Sequence, residues 1–163
     1  MQYVGISDER LHHIIGVARK AYSLAKELGY SEEFARKCFM LGWIHDVGYE
    51  FSYRQEDHPE ISVKMLKDLV GNNDAAQTQR SLGAILNHGK EISDMTDEYR
   101  ILTMADMLVD ANGNSATVSQ RLEDIRTRYG EYSVQYTVSC RVCRKIGLLD
   151  SRISPEPEDI QKI

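Results

Sequence analysis

The chain has 163 residues, of which 42% are hydrophobic and 28% charged, and its formal net charge is −5. That length suits one domain with a sizeable core, and the acidic balance argues against a surface that coats nucleic acid, which calls for a basic stripe. No apolar run approaches the roughly 18 residues that span a membrane, no secretory pattern opens "MQYVGISDERLHH", and three cysteines are an odd number for a disulfide framework, so a cytoplasmic, reduced protein is expected.

Helical periodicity dominates and no alternating strand pattern is convincing, which predicts an all-α fold of about seven helices. The first helix is expected from Asp8 to Leu28, closed by Gly29, with an apolar stripe of Leu11, Ile14, Ile15, Ala18, Ala21, Tyr22, Ala25 and Leu28. Ser31 then caps a second helix, with Glu32 and Glu33 in its first turn, running to about Asp46. After the polar loop "EFSYRQED", Pro59 suits the first turn of a third helix that ends near Val70. "GNND" breaks the chain before a fourth helix from Ala75 to His88, closed by Gly89. A fifth starts near Thr96 and carries "ILTMADMLVD". Beyond "ANGNS", two more are expected, Ala116 to Tyr129 and Ser133 to Ile146. The tail "SPEPEDIQKI" holds two of the three prolines and is expected to be loose. Residues 1–115 thus read as a helical core, and 116–163 as a C-terminal helical pair and tail packed on the same domain.

Chemistry concentrates in the histidines, at 12, 13, 45, 58 and 88. Apart from His12, each falls on or at the end of a different expected helix. Asp106 stands inside an otherwise apolar run, where a carboxylate needs a cation or strong hydrogen bonds. A metal is one such partner; a backbone turn or an arginine is another. Four histidines and two aspartates nevertheless recur in the order H…HD…H…H…D, and imidazole with carboxylate suits iron, manganese, zinc or nickel and not calcium. Neighbouring residues of a regular helix point roughly 100° apart. His45 and Asp46 can therefore reach one ion only where the helix is ending, and Gly48 allows such an ending.

The segments "RLHHIIGVA", "IHDVG", "HPEISVKML", "ILNH" and "MADML" resemble successive motifs of the HD-domain metal-dependent phosphohydrolase superfamily, over roughly residues 8 to 110. The resemblance implies a single HD-domain helical bundle. In that family the first ligand stands three residues after an arginine and before a "GVA"-like segment, which selects His13, with Arg10 before it. A helical wheel agrees, because His13 falls at the edge of the apolar stripe and His12 on the polar face.

The extra His58 and His88 resemble the subgroup with two metals. By that resemblance His13, His45, Asp46 and Asp106 hold one divalent ion, and Asp46, His58 and His88 hold the second, with iron or manganese ahead of zinc or nickel. Asp46, as the bridge, is the catalytic residue. The implied activity is hydrolysis of a phosphoester or phosphoanhydride, of a nucleotide or phosphorylated metabolite, by a metal-activated water. The same ligands also serve HD-fold mixed-valence di-iron oxygenases, and a non-catalytic nucleotide-binding module is a third reading. After the last ligand the chain reads "MLVDANGNS", without the acidic-proline-arginine stretch of the symmetrically cleaving diadenosine tetraphosphate hydrolases.

Lys90 and Arg10 are candidate contacts for the substrate anion, and Asp110 for orienting a histidine N–H. "CRVC", Cys140 to Cys143, has no second pair to complete a zinc site and is expected to sit partly buried on its helix. No nucleic-acid or membrane partner is expected, and a homodimer is left open.

Overall fold

The computed structural model describes residues 5–51, 54–70 and 76–149. The expected break at "GNND" and the expected loose tail lie outside those residues. Seven α-helices make up the described chain: α1 (Asp8–Glu27), α2 (Glu32–Ile44), α3 (His58–Val70), α4 (Ala76–Asn87), α5 (Asp97–Met107), α6 (Val118–Tyr129) and α7 (Val134–Lys145). The all-α expectation holds, and β pairing among the described residues is limited to one isolated bridge between Val109 and Ser115.

Side chains that stop the chain from continuing as helix set most of the boundaries. The hydroxyls of Ser7, Ser31, Thr96 and Ser133 each accept from a backbone N–H of the first turn of α1, α2, α5 and α7. Thr117 and Gln120 form a reciprocal capping box, so α6 begins at Val118 and not at Ala116.

The core lies where α1, α2, α4 and α5 meet. Helix α1 contributes Val17, Ala18, Ala21 and Ala25, all fully buried, and these small residues let α2 come close. Two members of the expected stripe are exposed, Leu11 at 38% and Leu28 at 56%. Both belong to the ends of α1, where the periodic pattern continues in sequence but no neighbour among the described residues covers it. Helix α5 is buried on most sides, through Tyr99, Ile101, Leu102, Thr103 and Ala105.

A second apolar cluster joins Met107 of α5 to Leu122 and Ile125 of α6 and to Tyr136, Cys140 and Cys143 of α7. The cysteines are more buried than expected, and burial pushes the Cys143 thiol up to about 12, which keeps it protonated. Val142 and Ile146 also reach the main core, so α7 bridges both clusters.

The turn after α5 fixes the position of one site residue. Asp110 and Asn114 close it by a backbone bond of 2.9 Å, and a side chain on Gly113 would strike the carbonyl of His12 at 2.1 Å. With φ +83°, Gly113 also needs the left-handed region. The turn therefore rests directly on the backbone of α1, next to His13.

Candidate metal centre

The two adjacent ligand types of "IHDVG" sit where helical geometry breaks down. Helix α2 ends at Ile44, His45 is its C-cap, and Asp46 (φ −108°, ψ 6°) leads into a 3-10 turn over Val47–Glu50. This break turns the side chains of His45 and Asp46 into one space. The role expected of Gly48 is corrected: it has no positive φ, so left-handed freedom is not what ends the helix. Gly48 is required by proximity instead, since a Cβ there would lie 2.1 Å from the His58 carbonyl. Its N–H donates to Ser62 Oγ at 2.7 Å, and that hydroxyl donates to the His45 carbonyl at 3.1 Å. The absent side chain is what lets the start of α3, and with it His58, reach the end of α2.

All six expected ligands converge. His13, His45, Asp46 and His88 are buried, and the side chains of His58 and Asp106 are 14% and 19% exposed. Asp106 is thus open to a cleft and not sealed in an apolar run. His12 is exposed, in keeping with the helical wheel.

Three of the rings are oriented from behind by backbone carbonyls. Nδ1 of His13 donates to Asp110 at 2.9 Å, Nδ1 of His45 to Gly42 at 2.6 Å, and Nδ1 of His88 to Ile85 at 2.5 Å. A carbonyl can only accept, so the proton is on Nδ1 in each ring and a neutral ring carries its lone pair on Nε2. Those Nε2 atoms all face the centre.

The centre is therefore a concentration of acceptors. His13 Nε2 lies 2.8 Å from Asp106 Oδ1. His58 Nε2 lies 3.1 Å from both His88 Nε2 and Asp46 Oδ1. His45 Nε2 is buried with no hydrogen-bond partner among the described residues. Lone pairs facing lone pairs at such distances repel unless a proton or a metal cation lies among them. Three overlapping groups have donor atoms within 4.8 Å of one another: His13, His45 and Asp46; His45, His88 and Asp106; and Asp46, His58 and His88. Each could hold a metal ion, and the donor set fits one.

Asp46 is central to that arrangement. Its Oδ2 faces Arg10 at 2.9 Å, His45 at 3.4 Å and His13 at 3.9 Å, while Oδ1 faces His58 at 3.1 Å and His88 at 3.5 Å. Burial by itself would raise the Asp46 carboxyl, but the rings of His45, His58 and His88 around it hold it well below the usual range. Burial would likewise raise Asp106, and the neighbouring rings of His13 and His45 bring it well below. Both are carboxylates.

A cleft of about 250 Å³ opens over these residues. One wall is the His/Asp cluster with Tyr49; the other is Arg121, Ile125 and Tyr129 of α6 and Gln135 and Ser139 of α7. A neighbouring recess shares Arg10, His13, Tyr49, Arg121 and Tyr129. Tyr49 stacks on His58 with centroids 4.1 Å apart, and the Arg10 guanidinium lies 4.0 Å over the same ring.

The remaining candidates divide. Arg10 is at the site, bonded to Asp46. Lys90 is not among the residues lining the cleft; its ammonium pairs with Glu60 at 3.2 Å. Asp110 does orient His13, but through its main chain, while its carboxylate accepts from the N–H groups of Asn112 and Asn114. Tyr49 and the α6–α7 wall escaped the reading of the sequence. Arg121, Ile125 and Arg128 recur at helical spacing, but spacing alone does not say what a face turns toward.

The HD domain family matches residues 10–109, and the chain belongs to that family of metal-dependent phosphohydrolases. No curated protein matches the chain closely enough to count as a relative. Among the described residues, no helix is long and apolar enough to cross a membrane.

Proposed function

We propose that this protein is a phosphohydrolase that uses two divalent cations to cleave a phosphoester or phosphoanhydride of a small anionic substrate, a nucleotide or phosphorylated metabolite. The observation that carries the proposal is the division of Asp46, with Oδ2 toward His13 and His45 and Oδ1 toward His58 and His88. A carboxylate so divided serves as a bridge. In this reading His13, His45, Asp46 and Asp106 hold one cation, and Asp46, His58 and His88 hold the other, with iron or manganese suited to the nitrogen and oxygen donors. When bound, the pair supplies Lewis-acid polarisation of phosphoryl oxygens and a water acidic enough to attack at neutral pH.

The protein's own groups prepare the site for that chemistry. The carbonyls of Gly42, Ile85 and Asp110 fix the tautomer of three rings and raise their basicity as ligands. Arg10 restrains Asp46 and keeps a positive charge beside it. Tyr49 covers His58, and burial with Asp46 nearby keeps its phenol neutral. The two carboxylates do not neutralise two divalent ions, so the loaded centre attracts an anion although the chain is acidic. At about 250 Å³ the cleft lies just below the roughly 300–1,000 Å³ usual for drug-sized ligands, which suits a small substrate.

The test is metal analysis of protein reconstituted with iron or manganese without oxygen, followed by a panel of nucleotides and sugar phosphates. Metal content approaching two ions per chain is expected, with phosphate release that chelation abolishes and metal restores. Oxygen uptake coupled to oxidation of an organic substrate, without phosphate release, would overturn the hydrolase reading in favour of an oxygenase.

A further inference from the structure

The α6–α7 wall lies beyond the residues that match the family, yet it closes the cleft opposite the metal cluster. Arg121 is its one cationic member. Its side chain is 17% exposed, and it lines both the cleft over the cluster and the neighbouring recess. Its Nε is buried and has no hydrogen-bond partner among the described residues. Since the Nε is shut away from water, the part of the side chain that remains exposed is what borders the cleft.

The charges around Arg121 leave it available. Its NH1 donates to Asp124 at 3.1 Å, but the same carboxylate also accepts from Arg128 at 3.2 Å. One acidic group thus serves two guanidinium ions. Arg10, the other arginine common to both recesses, is committed to Asp46 at 2.9 Å. Glu9, at the rim of the outer recess, is exposed to solvent. Polar neighbours on the same wall, the phenol of Tyr129, the amide of Gln135 and the hydroxyl of Ser139, continue a hydrogen-bonding surface and not an apolar one.

We infer that Arg121 is the substrate-anchoring residue of this protein, with its guanidinium directed at a phosphoryl oxygen of the substrate held against the His/Asp cluster. The inference rests on the phosphohydrolase reading for the identity of the anion, and it assigns recognition to the C-terminal helices and chemistry to the family core. Arginine suits this task because its planar fork pairs with two phosphoryl oxygens while part of it remains bonded to Asp124.

The experiment is calorimetric titration of inorganic phosphate into metal-loaded protein, comparing wild type with Arg121→Met, with metal content measured on the same samples. Loss of a charge-assisted hydrogen bond should weaken phosphate roughly ten- to hundredfold and leave bound metal unchanged. In turnover, the loss should fall on KM more than on kcat. Asp124→Asn removes the negative charge that competes for Arg121, so phosphate affinity should hold or tighten, and a fall would count against the inference. If Arg121→Met does not fold, Arg121→Lys carries the test, because it keeps the charge and lacks the planar fork, and it should still lose affinity at least threefold. Phosphate binding within twofold of wild type in the variant that folds would overturn the inference and leave the hydrolase reading intact. Wild-type protein that does not bind phosphate would overturn it too. Wild-type protein that binds phosphate through Arg121 but releases none from any substrate would keep the anchor and sink the hydrolase.

Discussion

Gly48→Ala tests how the site is assembled, because it adds one carbon and removes no ligand. That carbon would lie 2.1 Å from the His58 carbonyl oxygen, 2.7 Å from Ser62 Oγ and 2.8 Å from the Ser62 nitrogen. Carbon–oxygen contacts settle at roughly 3.3–3.6 Å, so the two segments must part by roughly 1.2 Å. Two of the three obstacles are backbone, which cannot swing aside as a long side chain would. Forced overpacking of this kind costs about 1–3 kcal/mol. Separation also strains two hydrogen bonds, Gly48 N–H to Ser62 at 2.7 Å and Ser62 to the His45 carbonyl at 3.1 Å, each worth about 1 kcal/mol. The expected destabilisation is therefore about 3–5 kcal/mol. In a chain of this size that lowers the melting midpoint by roughly 6–20 °C. The shift pushes His58 away from Asp46 and His88, so the variant should lose the ion assigned to those three residues before the one assigned to His13 and His45. Thermal melting followed by circular dichroism, with metal analysis of the folded protein, measures both effects. A midpoint within about 2 °C of wild type, with full metal content, would refute the steric argument.

Further outcomes follow from the same geometry. His13→Ala should lose metal and activity, whereas His12→Ala, altering an exposed side chain, should leave both near wild type; metal analysis of the pair decides, and the reverse result would reject the assignment of His13. Asp46→Asn removes the charge and turns one ligating oxygen into a poor NH₂ ligand, so it should stay helical yet lose at least one metal and nearly all turnover. His88→Ala should empty mainly the ion shared with His58, and retention of both ions in Asp46→Asn would remove the bridge from the mechanism. Glu98, its side chain 5% exposed, accepts from Lys37 at 2.9 Å and Arg80 at 3.1 Å. Burial raises its carboxyl, but the bond from Lys37, with backbone and Arg80 bonds, outweighs that and holds it below the model-peptide value of 4.5. Its ionised form thus favours the fold, a contribution complete above that value and lost as pH falls through the lower folded-state one. Glu98→Gln should cost about 1–3 kcal/mol at neutral pH, and its gap to wild type in urea melts should narrow below pH 4.5; a gap independent of pH would count against the ion pairs.

The H…HD…H…H…D order was legible in the sequence because each ligand is chemically distinctive and sits on or at the end of its own helical segment. The helices themselves were legible because their caps are local: Ser7, Ser31, Thr96 and Ser133 act within three residues of their own positions. The choice of His13 over His12 could also be read, since helical phase fixes which of two neighbours meets the core. Tertiary structure decided what depends on the approach of distant segments. Gly48 looks in sequence like a helix stop, but the reason for glycine is the carbonyl of His58, ten residues on and brought close only when α3 packs. Asp110 reads in sequence as a carboxylate placed to orient a histidine, but the group that does so is its backbone oxygen, turned toward α1 by the loop after α5. Arg121 is one of several arginines on an exposed-looking helix, and only the packing of α6 and α7 over Met107 brings it to the cleft over the His/Asp cluster. Ligand identity and helix phase are properties of a residue and its near neighbours. Which backbone carbonyl, steric gap or guanidinium meets those ligands is a property of segments far apart in the chain, and no local pattern encodes it.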